Sequence, residues 1–344
     1  MIKVFVIDDS ALVRRGFRKL LEGANDIVLL GEAENPIDAF EVFKTTGLPD
    51  LFILDIEMPK MDGLTFLKKI NEQRPIPVII CSTLTASGSP AAIDAMRLGA
   101  VDVVEKPRLN LSDFFQEYKN EFLEKIRNAA KANIRLSSPK PIQTPPVKKI
   151  ITTSPSKKIV AIGSSTGGVQ ALEEVITHLR PNHVGIVITQ HMPQGFTKSF
   201  ADRLNQLAPH SNVSEAKNDE IVEDGKILIA PGGFHMEVYS IGGIYKVLIK
   251  DYPKVNSHKP SVGVLFSSIA KCAGKNATGY ILTGMGSDGA QGLKLMRDAG
   301  AHTYGESEKT AIVYGMPRIA NEIGAVEKEL ILSDVAVSIN AISN

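Results

Sequence analysis

Two series of alternating strand and helix patterns, separated by a proline-rich stretch, dominate this sequence. Each series consists of short apolar runs rich in β-branched residues, which end in polar turns and lead into apolar residues at helical spacing. Such alternation favours parallel sheets covered by helices on both faces. We therefore predict an α/β chain with two doubly wound parallel-sheet domains, at residues 1–130 and 158–344, and a linker at 131–157. A β-hairpin pattern around Gly242 and Gly243 predicts an insertion in the second domain.

Composition limits the classes of partner. The formal net charge is +1, so there is no electrostatic argument for binding nucleic acid or an anionic membrane surface. No apolar run is long enough to span a bilayer, and the first residues do not form a signal-peptide pattern. The two cysteines lie far apart in apolar contexts, which is typical of free buried thiols. We therefore expect a cytoplasmic protein with no membrane insertion and no nucleic-acid partner.

Polar side chains follow successive strands of the first domain, at Asp8, Asp9, Asp55, Ser82 and Lys106. The carboxyl ends of parallel strands form one crevice. Three carboxylates there would repel one another unless a divalent cation lay among them, and a small set of oxygen ligands favours Mg²⁺. Asp55 could then accept a phosphoryl group, with Lys106 paired to it and Ser82 hydrogen-bonded to it. Taken singly, each acid could instead be a helix cap or a turn residue.

Residues 1–125 resemble the receiver domain of two-component response regulators. The motifs that carry the resemblance are DDS at 8–10, LDIEMP at 54–59, MDG at 61–63 and EKP at 105–107. The resemblance implies a flavodoxin-like fold and a phosphoacceptor at Asp55 that is supplied by a histidine kinase. It also implies Mg²⁺ held by Asp8, Asp9, Asp55 and the backbone carbonyl of Glu57. Ser82 occupies the switch-hydroxyl position, although a shift of one residue would exchange it with Thr83.

The second domain begins with a strand–turn–helix corner at residues 158–168, KIVAIGSSTGG. A hydroxyl at such a corner lies at the carboxyl edge of a sheet, beside a helix N-terminus whose N–H groups could stabilise an oxyanion. Ser165 could therefore be an attacking nucleophile. A glycine-rich corner can also bind phosphate or be only a tight turn, but this one has neither a Gly-x-Gly-x-x-Gly pattern nor a Walker lysine.

A serine nucleophile needs a base and a group that orients that base. Of the seven histidines, only His191 directly follows a strongly apolar strand, which places it at the same sheet edge as Ser165. His235 and His258 lie near turns and are the alternatives. Asp288 follows another strand in a glycine-rich turn, where it could orient His191 or cap the next helix.

Residues 158–330 resemble the catalytic domain of the CheB family of chemotaxis protein-glutamate methylesterases. The motifs that carry the resemblance are IGSSTGG at 162–168, TQHMP at 189–193, HKPS at 258–261 with VLF at 264–266, LTGMGSDG at 282–289 and GMPR at 315–318. The resemblance implies a Rossmann-like domain with Ser165 as nucleophile, His191 as base, Asp288 as its partner and an oxyanion contact near Met285.

The sequence departs from the family pattern in three places. Ser164 stands where the family usually has alanine, so two adjacent serines compete for the role of nucleophile. Gly263 replaces a usual aspartate, and Gly-Glu-Ser at 305–307 replaces the commoner Ala-Gln-Asp. The last two differences could change substrate contacts without changing the hydrolytic chemistry.

These features predict a phosphorylation-activated serine hydrolase that removes methyl esters from glutamate side chains of chemoreceptors in two-component chemotaxis adaptation. Glutamines could be deamidated by the same route. The expected partners are a chemotaxis histidine kinase and methyl-accepting chemoreceptors, and the expected location is the cytoplasm at receptor arrays. The alternative is a non-enzymatic phospho-switch whose second domain binds a nucleotide or a protein, with the Ser165 loop as a phosphate cradle. The lack of a ribose-binding signature and the presence of His191 and Asp288 count against that alternative.

Overall fold

A computed structural model describes residues 1–82, 90–106, 119–134 and 154–342 of the chain. Contacts divide the chain into two compact units, with the described residues up to 134 in the first and those from 154 onwards in the second. Most of the predicted linker at 131–157 falls outside the described residues, so the predicted domain boundaries stay predictions. Among the described helices, none combines the length and the apolar character that crossing a membrane requires.

The first unit is one parallel sheet with helices between its strands. The strands are β1 (Ile2–Ile7), β2 (Ile27–Ala33), β3 (Leu51–Leu54), β4 (Val78–Ser82) and β5 (Asp102–Glu105). The helices are α1 (Ala11–Leu21), α2 (Pro36–Thr46), α3 (Gly63–Gln73), α4 (Pro90–Arg97) and α5 (Lys119–Ala129). The strand order is β2-β1-β3-β4-β5, and every pairing is parallel. The predicted doubly wound α/β fold of this region is confirmed.

Local sequence explains why these elements form where they do. Every residue of β3 and β4 is buried, because helices cover both faces of a parallel sheet. The first three helices begin at side chains that accept a backbone N–H, namely Ser10, Asn35 and Asp62. Ser10 directly follows Asp8 and Asp9, the two acids between β1 and α1, so the two acids lie in the short turn from the strand to the helix.

The second unit contains a larger parallel sheet and a separate hairpin. Its strands are β6 (Ile159–Ser164), β7 (Gly185–Gln190), β8 (Asn212–Glu215), β9 (Lys226–Ile229), β10 (His235–Ile241), β11 (Ile244–Lys250), β12 (Ala277–Ile281), β13 (His302–Glu306) and β14 (Lys328–Leu330). Its helices are α6 (Gly168–Thr177), α7 (Phe196–Leu207), α8 (Val262–Cys272), α9 (Ala290–Asp298), α10 (Met316–Glu322) and α11 (Leu332–Asn340), with a 3₁₀ turn at Gly274–Asn276. Seven strands form the sheet, in the order β14-β13-β12-β6-β7-β9-β8.

The antiparallel pair β10–β11 is the predicted hairpin insertion. Its turn residues Gly242 and Gly243 have φ of 60° and 82°, a left-handed conformation that glycine adopts without a steric penalty. The inner face of the hairpin packs against α8 in one apolar cluster, whose members include Met236, Val238, Val247, Leu265, Phe266 and Ile269. The hairpin thus covers the helix that begins directly behind the candidate active site.

The sheet order brings three polar strand ends together. In the order β12-β6-β7, β6 lies between a strand that follows it directly in the chain and one that comes much later. Ligands of open α/β sheets bind at such a point, outside the carboxyl ends of the strands, because the connections there diverge and leave a crevice. Ser165, His191 and the turn that carries Asp288 follow these three strands.

Candidate functional site

The two adjacent serines at the end of β6 lie in different environments. Ser164 is fully buried, and its hydroxyl donates a hydrogen bond of 2.6 Å to Oε1 of Gln190. Ser165 is partly exposed, and its backbone is fixed from two sides. Its N–H donates to the carbonyl of Thr283 at 3.0 Å, and its carbonyl accepts from Nε2 of Gln190 at 2.8 Å. The interior hydrogen bond therefore occupies the Ser164 hydroxyl, while Ser165 is at the surface of the crevice.

Tight backbone packing surrounds Ser165. Gly167, the residue before α6, has φ of 79°. A Cβ on Gly284 would lie only 2.8 Å from Cβ of Ser165. The loop after β12 therefore approaches the serine more closely than any residue with a side chain would allow. Met285 is the next residue of that loop and is partly exposed. Its contribution to an oxyanion site stays a prediction.

His191 and Asp288 are in direct contact. Nε2 of His191 lies 2.9 Å from Oδ2 of Asp288. Because the carboxylate accepts this hydrogen bond, the proton is on Nε2 and the lone pair is on Nδ1. Nδ1 is buried and has no hydrogen-bond partner among the described residues. A buried imidazole with one anchored nitrogen and one free nitrogen can act as a general base.

Asp288 is buried in a dense set of hydrogen-bond donors. Besides His191, the donors are the N–H groups of Val262 (2.7 Å) and Gly263 (3.2 Å), the hydroxyl of Ser261 (2.8 Å) and the side-chain amide of Asn256 (3.0 Å). Burial acts to raise the pKa of Asp288, but the hydrogen bonds from His191, Asn256 and Ser261 outweigh it and hold the pKa well below its usual range. Asp288 is therefore ionised throughout the neutral pH range.

The two alternative histidines have other surroundings. His235 is buried, its Nδ1 accepts from the N–H of Ser261 at 3.2 Å, and its Nε2 lies 3.1 Å from the carbonyl of Pro253. Burial lowers the pKa of His235, so it is a neutral support for the segment that surrounds Asp288. His258 is partly exposed and stacks on the ring of His191, a contact that the sequence did not indicate.

Glu306 is a buried acid next to the Ser165 turn. Its Oε2 accepts from the N–H of Thr283 at 2.8 Å, and the hydroxyl of Thr283 donates to the carbonyl of Thr166 at 2.9 Å. Burial raises the pKa of Glu306 to about 7. This position departs from the family pattern, and the structure shows that it supports the backbone on which Ser165 rests.

The three acids of the first unit form one cluster. Each of Asp8, Asp9 and Asp55 offers a carboxylate oxygen, and these oxygens lie within 4.8 Å of one another. Nζ of Lys106 lies 2.6 Å from Oδ2 of Asp55 and 2.8 Å from Oδ2 of Asp8. Burial raises the pKa of Asp55 to about 6 and raises that of Asp8, although Lys106 acts in the opposite direction at both. One lysine is shared between two buried carboxylates, so the positive charge at this site is too small to balance the negative charge.

The composition of this cluster fits a divalent cation. All the donors are carboxylate oxygens, Asp9 is exposed, and oxygen-only sets of this kind suit Mg²⁺. Gly63 of the MDG motif belongs to the same backbone frame, because a Cβ there would lie 2.0 Å from the carbonyl oxygen of Asp55. Glu57 is exposed, and its role as a backbone ligand stays a prediction.

The predicted switch hydroxyl lies on the neighbouring strand. Ser82 is buried at the end of β4, and its carbonyl accepts from the N–H of Lys106 at 2.8 Å. The neighbouring strand ends thus bring Ser82 and Lys106 together. Thr83, the alternative, lies outside the described residues.

Comparisons with known proteins cover both units. A family model described as "CheB methylesterase" matches residues 160–339, and one described as "Response regulator receiver domain" matches residues 4–117. Protein-glutamate methylesterase/protein-glutamine glutaminase 3 of Shewanella oneidensis is 45% identical over 99% of both chains. Protein-glutamate methylesterase/protein-glutamine glutaminase of Escherichia coli K12 is 45% identical over 97% of this chain and 95% of that protein. The crystal structure of the Thermotoga maritima CheB methylesterase catalytic domain is 35% identical and covers 53% of this chain and 97% of that domain, with a TM-score of 0.52.

Proposed function

Because the chain belongs to the CheB methylesterase family and carries a receiver domain in front of the esterase domain, we propose that it is a serine hydrolase that demethylates glutamate methyl esters on chemoreceptors. The observation that carries the proposal is the buried His191–Asp288 pair at the sheet edge where Ser165 is partly exposed. Residues in these roles are what ester hydrolysis by a serine requires.

The first half of the proposed reaction forms an acyl-enzyme. Ionised Asp288 holds the Nε2–H of His191, which leaves Nδ1 to take the proton of the Ser165 hydroxyl as Oγ attacks the ester carbonyl. The negative charge on the carbonyl oxygen is met by backbone N–H groups at the Ser165 turn and near Met285. His191 then returns the proton to the methoxy oxygen, the C–O bond breaks, and methanol leaves.

The second half releases the product. A water molecule gives a proton to Nδ1 of His191 and attacks the ester that now joins the substrate to Ser165. Collapse of this second intermediate returns the proton to Oγ and frees a glutamate side chain. A receptor glutamine would follow the same steps, with ammonia leaving in place of methanol.

The receiver domain supplies the proposed regulation. Asp55 attacks a phosphoryl group donated by a chemotaxis histidine kinase, and the residues that would hold Mg²⁺ beside it are Asp8, Asp9, Asp55 and the carbonyl of Glu57. The bound cation would offset the carboxylate and phosphoryl charges during the transfer. Lys106, now shared between Asp8 and Asp55, would pair with the phosphoryl oxygens, and Ser82 would hydrogen-bond to them.

Phosphorylation would act by relieving inhibition of the esterase. In the unphosphorylated state, the receiver would obstruct the approach of a helical protein substrate. Phosphorylation would change the surface of the receiver and weaken this obstruction, which shifts the population toward an active form. The proposed partners are therefore a chemotaxis histidine kinase and methyl-accepting chemoreceptors. The proposed location is the cytoplasm at receptor arrays.

A fluorophosphonate probe tests the enzymatic claim independently of any receptor. An activated serine oxygen displaces fluoride from the phosphorus and stays bound to the probe. We expect the full-length protein to be labelled, with the label on the peptide that contains Ser165. A non-enzymatic phospho-switch with a phosphate-binding Ser165 loop would remain unlabelled, and that result would refute the proposal.

A further inference from the structure

His258 lies flat against the proposed general base, although the reaction above gives it no step. The ring centroids of His191 and His258 are 3.7 Å apart, and the ring planes differ by 10°. The His191 side chain is only 7% exposed, whereas His258 is partly exposed and forms the outer ring of the pair. His258 therefore covers one face of the imidazole.

The turn that carries His258 has an unfavourable backbone conformation. Val255 and His258 exchange both of their backbone hydrogen bonds, at 3.0 and 2.9 Å, across a tight turn. The two residues between them, Asn256 and Ser257, have φ of 50° and 66°. Two consecutive non-glycine residues in the left-handed region are costly. In addition, Nδ1 of His258 lies 2.6 Å from the carbonyl of Asn256, which fixes the ring on its own turn.

The same turn also reaches the third member of the proposed triad. The side-chain amide of Asn256 donates to Oδ1 of Asp288 at 3.0 Å, while Nε2 of His191 bonds to Oδ2. One short segment thus contacts the orienting carboxylate through an amide and the base through a ring face. The titratable groups close to His258 include His191 and Asp288, since one nitrogen or oxygen atom of each of the three side chains lies within 4.8 Å of the others. The next residue in the chain, Lys259, pairs with Asp251.

One hydrogen bond cannot fix the orientation of an imidazole. The contact with Asp288 locates Nε2 of His191, but the ring can still tilt about the N–H···O direction. Tilting moves Nδ1, the nitrogen that must face the serine hydroxyl. A flat ring packed at 3.7 Å on one face restricts that tilt, and small misplacements of a reacting group reduce rates strongly.

We propose that His258 is a positioning residue, which holds the His191 ring in the plane that directs Nδ1 at the Ser165 hydroxyl. The proposal rests on the proposed function, since it refines the role of His191 in that reaction. His258 itself neither gives nor takes a proton. What matters is the flat face of its ring, and the ring nitrogens serve only to anchor it to the turn.

Three substitutions of the full-length protein separate the ring face from the ring nitrogens. His258→Phe keeps a flat ring without nitrogen, His258→Gln keeps polar atoms without a ring, and His258→Ala has neither. The measurements are kcat and KM for methanol release from methylated receptor membranes, the labelling rate with the fluorophosphonate probe, and the melting temperature. We expect Ala and Gln to lower kcat and the labelling rate about tenfold, with KM within about twofold, and Phe to recover most of the loss. Because His258 is partly exposed, all three should fold.

Several results would overturn the proposal. If Gln is active and Phe is slow, the contribution of His258 is its hydrogen bond to the turn. If all three lose activity as completely as a His191 variant, His258 is itself the proton acceptor. If none differs from the wild type, the stack has no role in catalysis. A wild-type protein that does not react with the probe would instead refute the proposed function, so the two failures are distinguishable.

Discussion

Asp55 and Asp288 are buried carboxylates in equivalent places, one at the carboxyl edge of each parallel sheet, yet their environments act in opposite directions. At Asp55, burial prevails and raises the pKa to about 6, despite the contact with Lys106. At Asp288, burial is outweighed by hydrogen bonds, and the pKa falls well below its usual range. Position in the fold is therefore not what decides the ionisation of a buried acid.

The difference lies in the donors that each carboxylate receives. Asp288 accepts from His191 and from four groups of the segment at 256–263. Asp55 accepts from the N–H of Ile56 at 2.7 Å and from Lys106, which it shares with Asp8. A carboxylate with many fixed donors is a permanent charge that can orient a base. A carboxylate with few donors and little positive charge around it is suited to a site that gains a cation and a phosphoryl group.

The largest loss of activity is expected when the proposed nucleophile of the esterase domain is removed. Ser165→Ala should lower kcat for methanol release by about 10⁵-fold or more, because only binding and the oxyanion site would remain. Ser164→Ala is the matched control, since that hydroxyl is buried against Gln190 and should be dispensable to within a few-fold. The reverse pattern would assign the nucleophile to Ser164.

Asp288 and His191 should behave as one unit with the serine. Asp288→Asn removes the charge while keeping the shape, and it should lower kcat by about 10⁴-fold. The double variant Ser165→Ala/His191→Ala should be little slower than either single variant, because the effects of residues that act together are not additive. Losses that multiply in the double variant would mean that His191 has a separate role.

Asp55→Asn removes the proposed phosphoacceptor of the receiver domain. The variant should have the low basal activity of the unphosphorylated protein and should not respond to acetyl phosphate. The wild type should be activated, by a factor within the range of about 5- to 150-fold that is typical of coupled sites. The rate of methanol release with and without acetyl phosphate measures both.

A fragment that starts at Lys157 tests how the coupling works. The solved catalytic domain of the Thermotoga maritima relative shows that this kind of domain folds without a receiver. If the receiver inhibits, the fragment should be faster than the unphosphorylated full-length protein. A fragment that is no faster would contradict inhibition, and the receiver would then have to activate in another way.

The smallest effect is expected at Glu306, a third buried acid. The pKa of Glu306 is about 7 in the folded protein, against 4.5 for the free side chain. Between these pH values the native state keeps a proton that the unfolded state has lost, so the free energy of unfolding falls as the pH rises from 4.5 to 7. The loss approaches roughly 3 kcal/mol above that range, where Glu306 is charged.

Calorimetry of Glu306→Gln tests whether ionisation of Glu306 lowers the free energy of unfolding. Glutamine has the same shape and cannot ionise, so at pH about 8 the variant should melt several degrees above the wild type. At pH ~3, well below both pKa values, the glutamate is protonated in the folded and the unfolded state, so the two proteins should melt together. A variant that is less stable at the higher pH would mean that the charged form of Glu306 is favoured in the fold.

The strand ends that carry the chemistry could be predicted because they obey local rules. Apolar runs end at Asp55, Ser165 and His191, and parallel strands bring their carboxyl ends to one edge. The edge strand β14 and its neighbour β13 are harder to recognise, because they are short and carry polar residues such as His302 and Lys328.

The contacts that distinguish similar residues could not be predicted, because they are made between distant segments. Ser164 and Ser165 are adjacent in sequence, and only the position of Gln190 shows which hydroxyl is occupied. Likewise the motif that contains His258 was recognised, but its stacking on His191 depends on a turn whose left-handed residues, Asn256 and Ser257, give no glycine signal.

The most direct test of a phosphorylation-controlled serine esterase is methanol release from methylated receptor membranes by the full-length protein, measured with and without acetyl phosphate. We expect release that rises with the phosphodonor in the wild type, stays at the basal rate in Asp55→Asn, and is absent in Ser165→Ala under both conditions. Release by Ser165→Ala at the wild-type rate would refute Ser165 as the nucleophile.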